Sequence, residues 1–426
     1  MNNATTPKQP AAPRHAPRKQ GKKDTRCTLA VNLVGMDAHS QKIVLCLTHW
    51  QHGSDPVVIK TIATTLDAMQ TTYANNIPPD AITVLEATAN AFSITRKLNA
   101  AGHPNVKVLA AETLAGFARS DRVNDNIDAH NLAIAYARGG TREVFVPSEH
   151  HTHLRDLFYG YHGAVRSATR ASNHIWSFCS GHGFNLPSAQ RKQKAADIKA
   201  QLDAHAWDED ACFHIGRLLA DYAHAVENRE LYRQRIERTV YQTPEMLRIM
   251  QVLGLSVQSA FALFTFIEDV TRFESGKKLA SYFGFNPVVC TSGESSGPRR
   301  LSRFGQRQVK ALLVEAAHSA LRHGHAPMHV WARRKIVMGK PHNVMLCALA
   351  RKMLVTVWHI LMGHPVPGGE APKSYKCKLA KLACSLRKSQ PDVMKGESAA
   401  AFIERVCAVV FAGASSAKSS IPPSEL

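Results

Sequence analysis

The sequence predicts a mixed α/β domain followed by a largely helical remainder. Three observations carry this. Residues 29–109 contain five short apolar runs separated by helical or turn segments, which is the signature of a sheet covered by helices. Past Pro147 long charged stretches repeat apolar residues at helical spacing and show few strand signals. With 426 residues, two or three domains with ample core are expected.

The elements follow in order. Residues 1–26 are rich in Pro, Ala and Gln, carry seven basic side chains against Asp24, and read as a disordered basic tail. Strands are expected at 29–36, 42–48 and 57–62, then a helix over 65–73, a strand at 82–85, a helix over 92–101 and a strand at 106–109. A helix at 125–137 closes this domain, placed at 27–148. Residues 153–178 and 194–242 bracket a Gly/Pro break at 181–187, so 149–243 reads as a long antiparallel helical hairpin of coiled-coil type. Gly254 splits two apolar stretches in 247–266 into a short helical hairpin, and a helix is expected at 272–283. After the Gly-, Ser-, Pro- and Arg-rich loop 284–305 come helices near 306–322, 327–337 and 343–361, completing a domain at 244–365. A basic helix near 374–387 and a flexible tail fill 366–426, although 401–412 is apolar enough to be a buried or amphipathic helix.

Charge narrows the function. Lys and Arg number 53 against 33 Asp and Glu, a formal charge of +20, and a field of that size favours a polyanionic partner. Between 297 and 390 there are 18 Lys or Arg against only Glu315 and Glu370, so the basic footprint lies in the C-terminal part. The apolar stretch 344–361 carries Arg351, Lys352 and His359, which argues against a membrane span. Nine cysteines without a C-x-x-C pair point to neither a disulfide frame nor a zinc ribbon, and a polar, basic N-terminus leads to a cytoplasmic expectation. His150, His151 and His153 are the densest histidine group, yet they lack Cys or carboxylate at ligand spacing.

Four carboxylates stand out by position. Asp37 and Glu86 each sit where an apolar strand runs out, and Asp125 and Asp128 share a helix face at i and i+3. Converging acids of this kind hold divalent ions for phosphoryl transfer, whereas Asp at a helix start also serves as an ordinary cap. The loop Thr291-Ser292-Gly293-Glu294-Ser295-Ser296-Gly297, followed by Arg299, Arg300, Arg303, Arg307 and Lys310, combines phosphate-approaching glycines with bidentate cations and serine hydroxyls.

Together the two sets resemble a known family. Gly35-Met36-Asp37, Leu85-Glu86-Ala87-Thr88 and Asp125-Asn126-Ile127-Asp128-Ala129 are similar in order and spacing to the DEDD transposases of insertion sequences, which include the Piv-type DNA invertases. Leu279-Ala280-Ser281-Tyr282-Phe283-Gly284-Phe285-Asn286-Pro287, Ser292-Gly293 and Arg303-Phe304-Gly305 resemble that family's C-terminal transposase domain. Where the family usually has Pro-Gly-Ile-Gly, this chain reads Leu253-Gly254-Leu255-Ser256.

The resemblance implies an RNase H-like (RuvC-like) first domain in which Asp37, Glu86, Asp125 and Asp128 bind Mg²⁺. It also implies Ser292 as a nucleophile that bonds covalently to DNA, with Ser295 and Ser296 as nearby alternatives, and Gly293, Arg299, Arg300, Arg303, Arg307 and Lys310 as nucleic-acid contacts. The partners implied are donor and target DNA and a structured guide RNA. Exchanging strands between two duplexes needs several active sites, so a homodimer or homotetramer is expected, with the helical hairpin as assembly element. The alternatives are a hydrolytic RuvC-like nuclease that uses only the acids and water, and a non-catalytic nucleic-acid-binding protein.

Overall fold

The computed structural model describes residues 31–50, 56–114, 124–186, 195–288, 291–292, 295–296, 300–302, 305–364 and 372–411. The tail at 1–26 lies outside them, as do Gly293, Arg299 and Arg303. The chain divides into two compact units, Met1–Pro147 and Ser148–Leu426.

In the first unit, β1 (Val31–Ala38), β2 (Lys42–Trp50) and β3 (Pro56–Ala63) form an antiparallel meander, and α1 (Leu66–Asn76) follows. β4 (Ile82–Glu86), α2 (Ala91–Ala100), β5 (Val106–Leu109), the single turn α3 (Ala111–Leu114) and α4 (Asp125–Arg138) complete it. β4 and β5 run parallel to β1, so the sheet is mixed with order β3-β2-β1-β4-β5. Side-chain alternation splits the strands between two cores. Val34, Met36, Ile43, Leu45 and Leu85 pack with Met69 and Tyr73 of α1 and with Ile94 and Leu98 of α2. On the opposite face Leu33, Val84 and Leu109 pack with Ala133, Tyr136 and Ala137 of α4. The five expected strands and their covering helices are all present.

The second unit opens with α5 (Glu149–Gly181), α6 (Ala195–Leu202) and α7 (Glu209–Gln242). Leu154 and Phe158 near the start of α5 share a core with Ile236 and Val240 near the end of α7. Ile175 and Cys179 near the end of α5 pack with Ile215 and Leu218 near the start of α7, so the pair is antiparallel. The helix expected over 194–242 is broken in two: the Trp207 indole N–H donates to the Leu202 carbonyl at 2.8 Å, and Asp208 caps α7 by accepting from the Ala211 amide.

Next come α8 (Pro244–Ile249), α9 (Val257–Ile267), a 3-10 turn at Val270–Arg272 and α10 (Gly276–Tyr282). The expected loop is in part a nested ladder, β6 (Pro287–Val288), β7 (Thr291–Ser292), β8 (Ser295–Ser296) and β9 (Arg300–Leu301). The helices α11 (Arg307–His323), α12 (Pro327–Val337), α13 (His342–Leu361), α14 (Pro372–Ser389) and α15 (Ala399–Phe411) close the unit. α15 occupies the apolar stretch near 401–412 and buries Phe402 and Val406 in the same core as Tyr375 and Leu379 of α14, so this part of the segment expected as tail is packed helix. α13 is long and apolar enough by composition to cross a membrane. Leu349, Ala350, Met353, Leu354 and Val357 are nevertheless fully buried among neighbouring helices, which makes it a core helix.

Gly254, at φ +90°, turns α8 into α9 and lies against α11, where a Cβ would stand 2.3 Å from the Ala316 carbonyl oxygen. Ser256 then caps α9 by accepting from the Ser259 amide. Of the residues that differ from the Pro-Gly-Ile-Gly pattern at this turn, Leu255 is therefore engaged in core packing and Ser256 in capping.

Candidate active site

In the first unit the site begins with strand register. Met36 pairs with Leu85, so Asp37 and Glu86 follow as neighbours at the ends of the parallel strands β1 and β4. Alternation turns both toward α4, on the face that buries Leu33 and Val84. α4 crosses β1 at Gly35, where a Cβ would lie 1.6 Å from the Ala129 carbonyl oxygen. That close approach brings the first turn of α4 to the end of β1. The cap of α4 is Asn124, whose side chain accepts from the Asn126 amide. Asp125 and Asp128 are thus relieved of the capping role that sequence alone allowed them.

Asp37 and Asp125 meet around His39. Its Nε2 lies 3.1 Å from Asp37 Oδ2 and 3.7 Å from Asp125 Oδ2, and one ligand atom from each of the three residues falls within 4.8 Å of the others. The Lys42 ammonium pairs with the same Asp125 oxygen. That hydrogen bond, reinforced by the charges of Lys42 and His39, holds the Asp125 carboxyl below the usual range. Asp128 is pushed the other way, first by partial burial and then by repulsion from Asp37 and Asp125. Among the described residues the Glu86 carboxylate makes no hydrogen bond or ion pair, although it ends the neighbouring strand on the same face. Sequence reading missed His39 and Lys42. The signal available for His39 was the i, i+2 spacing of Asp37-Ala38-His39, which continues the strand period past its end.

The donor set suits a divalent cation. Two carboxylates and an imidazole nitrogen converge, and the charged form of a third carboxylate, Asp128, is disfavoured by its partial burial and then by the other two. Among the described residues the ligand atoms that converge closely enough to share such an ion are those of Asp37, His39 and Asp125, and Asp128 lies near enough to feel the charges of both carboxylates.

In the second unit the register pairs Ser292 with Ser295 and Thr291 with Ser296, so the three serines named from sequence occupy facing strands. Arg300 pairs with Val288 in the separate two-stranded sheet formed by β6 and β9. The residues flanking the β6–β9 pair are tied to two helices. The Arg351 guanidinium of α13 donates to the Asn286 side-chain oxygen at 2.9 Å and to the Phe285 carbonyl at 3.2 Å, and the Ser302 amide donates to the Asn286 carbonyl at 2.9 Å. Lys310 of α11 donates to the Ser302 carbonyl at 2.9 Å, and its partial burial pushes the ammonium below its usual range. Arg307 is exposed at the start of α11, at one end of an open groove of about 740 Å³ that Lys310, His318 and Arg322 also line. His151 is buried, its Nδ1 3.2 Å from the Thr265 carbonyl oxygen and its ring against Phe264.

Residues 246–331 match the family described as transposase IS116/IS110/IS902. The matched segment runs from α8 into α12 and contains Ser292 and all of α11. The chain is also similar to the transposase for insertion sequence element IS1328 of Yersinia enterocolitica, with 22% identity over 66% of this chain and 83% of that protein. A probable family 20 transposase of Pseudomonas aeruginosa is 24% identical over 68% of this chain and 86% of its own length. The transposase for IS1111A of Coxiella burnetii is 20% identical over 65% and 77% respectively.

Proposed function

We propose that the chain is an insertion-sequence transposase of the IS110/IS116 type, cleaving and rejoining DNA through a covalent serine–phosphate intermediate. The match over 246–331, the segment that carries Ser292, is the observation on which this rests. The β3-β2-β1-β4-β5 order, with acids at the ends of β1 and β4 and α4 laid across them, supports an RNase H-like reading of the first unit.

In this reading Ser292 Oγ attacks a DNA phosphate. An Oγ–P bond forms, the P–O bond to one deoxyribose breaks, the serine proton is released, and the displaced sugar oxygen takes up a proton as a hydroxyl. Attack by a sugar hydroxyl on the serine phosphodiester reverses these events and rejoins a strand, so no nucleotide cofactor is consumed. A serine hydroxyl is a weak nucleophile, and cations beside the phosphate lower the barrier by neutralising developing charge. Arg299, Arg300 and Arg303 are assigned that part, with Gly293 allowing close backbone approach and Arg307 and Lys310 extending the contact surface. Asp37, Glu86, Asp125 and Asp128 would hold Mg²⁺, and a divalent ion bound there would supply charge stabilisation for phosphoryl transfer. Donor and target DNA are the substrates, a structured guide RNA selects them, and the working unit is a homodimer or homotetramer.

Trapping on a suicide DNA substrate tests this reading. Ser292→Ala retains nucleic-acid binding and loses the protein–DNA adduct, with cleavage falling at least 100-fold, the scale of losing a nucleophile. Peptide mass spectrometry locates the phosphate. A linkage on Ser295 or Ser296 moves the nucleophile across the ladder, and cleavage without any adduct transfers the case to a hydrolytic nuclease built on the acids alone.

A further inference from the structure

We propose that His39 is a ligand of the ion in the acidic centre and that its nitrogen tunes the centre toward Mn²⁺ over Mg²⁺. This rests on the reading that Asp37 and its neighbouring acids hold a divalent cation. Cis ligands of an octahedral ion with bonds of about 2.1 Å stand about 3 Å apart. His39 Nε2 lies 3.1 Å from Asp37 Oδ2, close to that edge length, and 3.7 Å from Asp125 Oδ2, longer than it.

The His39 backbone is held in place by three other parts of the unit. The His39 amide donates to the Lys42 carbonyl at 2.9 Å, and its carbonyl accepts from the Thr64 hydroxyl at 3.1 Å and from the Asn90 side-chain amide at 3.0 Å. The strands β2 and β3 and the start of α2 thereby fix one residue beside two carboxylates. A set of oxygens alone suits hard ions such as Mg²⁺. An imidazole nitrogen adds affinity for first-row transition ions and little for Mg²⁺, which dehydrates reluctantly. His39 therefore selects among ions more than it adds to general cation binding.

The experiment uses the full-length protein with Mn²⁺ or Mg²⁺ as the sole added ligand. Free Mn²⁺ is followed by electron paramagnetic resonance, Mg²⁺ by competition, and nitrogen coordination by the ¹⁴N modulation of the bound Mn²⁺ echo. Circular dichroism verifies the fold of His39→Ala, and His39→Gln serves as a conservative second variant. Both are expected to weaken Mn²⁺ binding about tenfold or more, to change Mg²⁺ binding less than about threefold, and to abolish the ¹⁴N modulation seen in the wild type. Absence of that modulation in the wild type, or an equal loss for both ions, removes His39 from the ligand set. Asp37→Asn separates the two ideas. If Asp37→Asn loses binding while the His39 variants bind as the wild type does, the acidic centre stands and only the His39 assignment falls. If the wild type binds neither ion, or Asp37→Asn binds as well as the wild type, both fall.

Discussion

Asp125 and Asp128 stand one helical turn apart, and their surroundings drive them in opposite directions. Asp125 is matched by the Lys42 ammonium, so its ionised form is favoured in the folded chain. Its contribution to stability is present above the ordinary Asp value of 3.8 and is lost as the pH falls below it. Asp128 is raised above 3.8 by burial and by the charges of Asp37 and Asp125, so folding favours its protonated form and its ionisation opposes folding. That penalty is absent in acid and grows as the pH rises through the raised titration. Asp128→Asn should therefore stabilise the metal-free protein at pH 7 by about 0.5 kcal/mol, the size of one solvent-screened charge interaction. Urea denaturation at pH 7 and near pH 3.8 measures both ends, and the gain should shrink toward the lower pH. If Asp128 is a ligand of the ion, as proposed, the same variant should also lose recombination. Equal stability at both pH values together with full activity would mean that Asp128 only decorates the helix start.

The crossing of α4 over β1 decides whether the four acids form a site at all. Gly35 is the contact point, and any side chain there meets the helix backbone at Ala129. Gly35→Ala must push α4 off the sheet or strain both elements, which costs roughly 1–3 kcal/mol for an overpacked core position. The denaturation midpoint should drop accordingly, and Mn²⁺ affinity should fall with it because Asp125 and Asp128 ride on the displaced helix. Unchanged affinity would show that the acids bind independently of this crossing. The strand carrying Gly35 and Asp37 was legible because its apolar run ends at a carboxylate, and α4 because its apolar residues recur at helical spacing. The reason for a glycine at 35 was not, since it depends on a helix more than 90 residues away. His39 and Lys42 escaped for the same cause: their partner Asp125 is distant in sequence and near only once the sheet has formed. The ladder of β6 to β9 was hidden differently, because two-residue strands among Gly, Ser and Arg are too short to show a period of two.

Across the whole chain the charge of +20 is concentrated in residues 297–390, the end of the family-matched segment and the helices after it, whereas the four candidate acids lie in the first unit. Affinity for a polyanion should then depend steeply on salt, and the slope should report on the C-terminal cations. Each phosphate contact contributes about −0.9 to the slope of log affinity against log salt on duplex DNA. Replacing Arg299, Arg300 and Arg303 together with Gln should flatten that slope by up to about 2.7. Lys310 provides an internal contrast. Its ammonium is partly buried and donates to the Ser302 carbonyl, so desolvation and a backbone hydrogen bond already occupy part of its capacity to meet phosphate. Lys310→Met should change the slope by less than about 0.9, less than one full contact, yet reduce adduct formation by releasing the base of the ladder from α11. Fluorescence anisotropy with a labelled duplex at several salt concentrations gives the slopes, and the suicide substrate gives the adduct yield. A slope unmoved by the arginine triple would relocate the binding surface to the basic residues of α14 or to the N-terminal segment. A Lys310→Met protein with a flattened slope and normal adduct yield would make Lys310 a phosphate contact first and a fastener second.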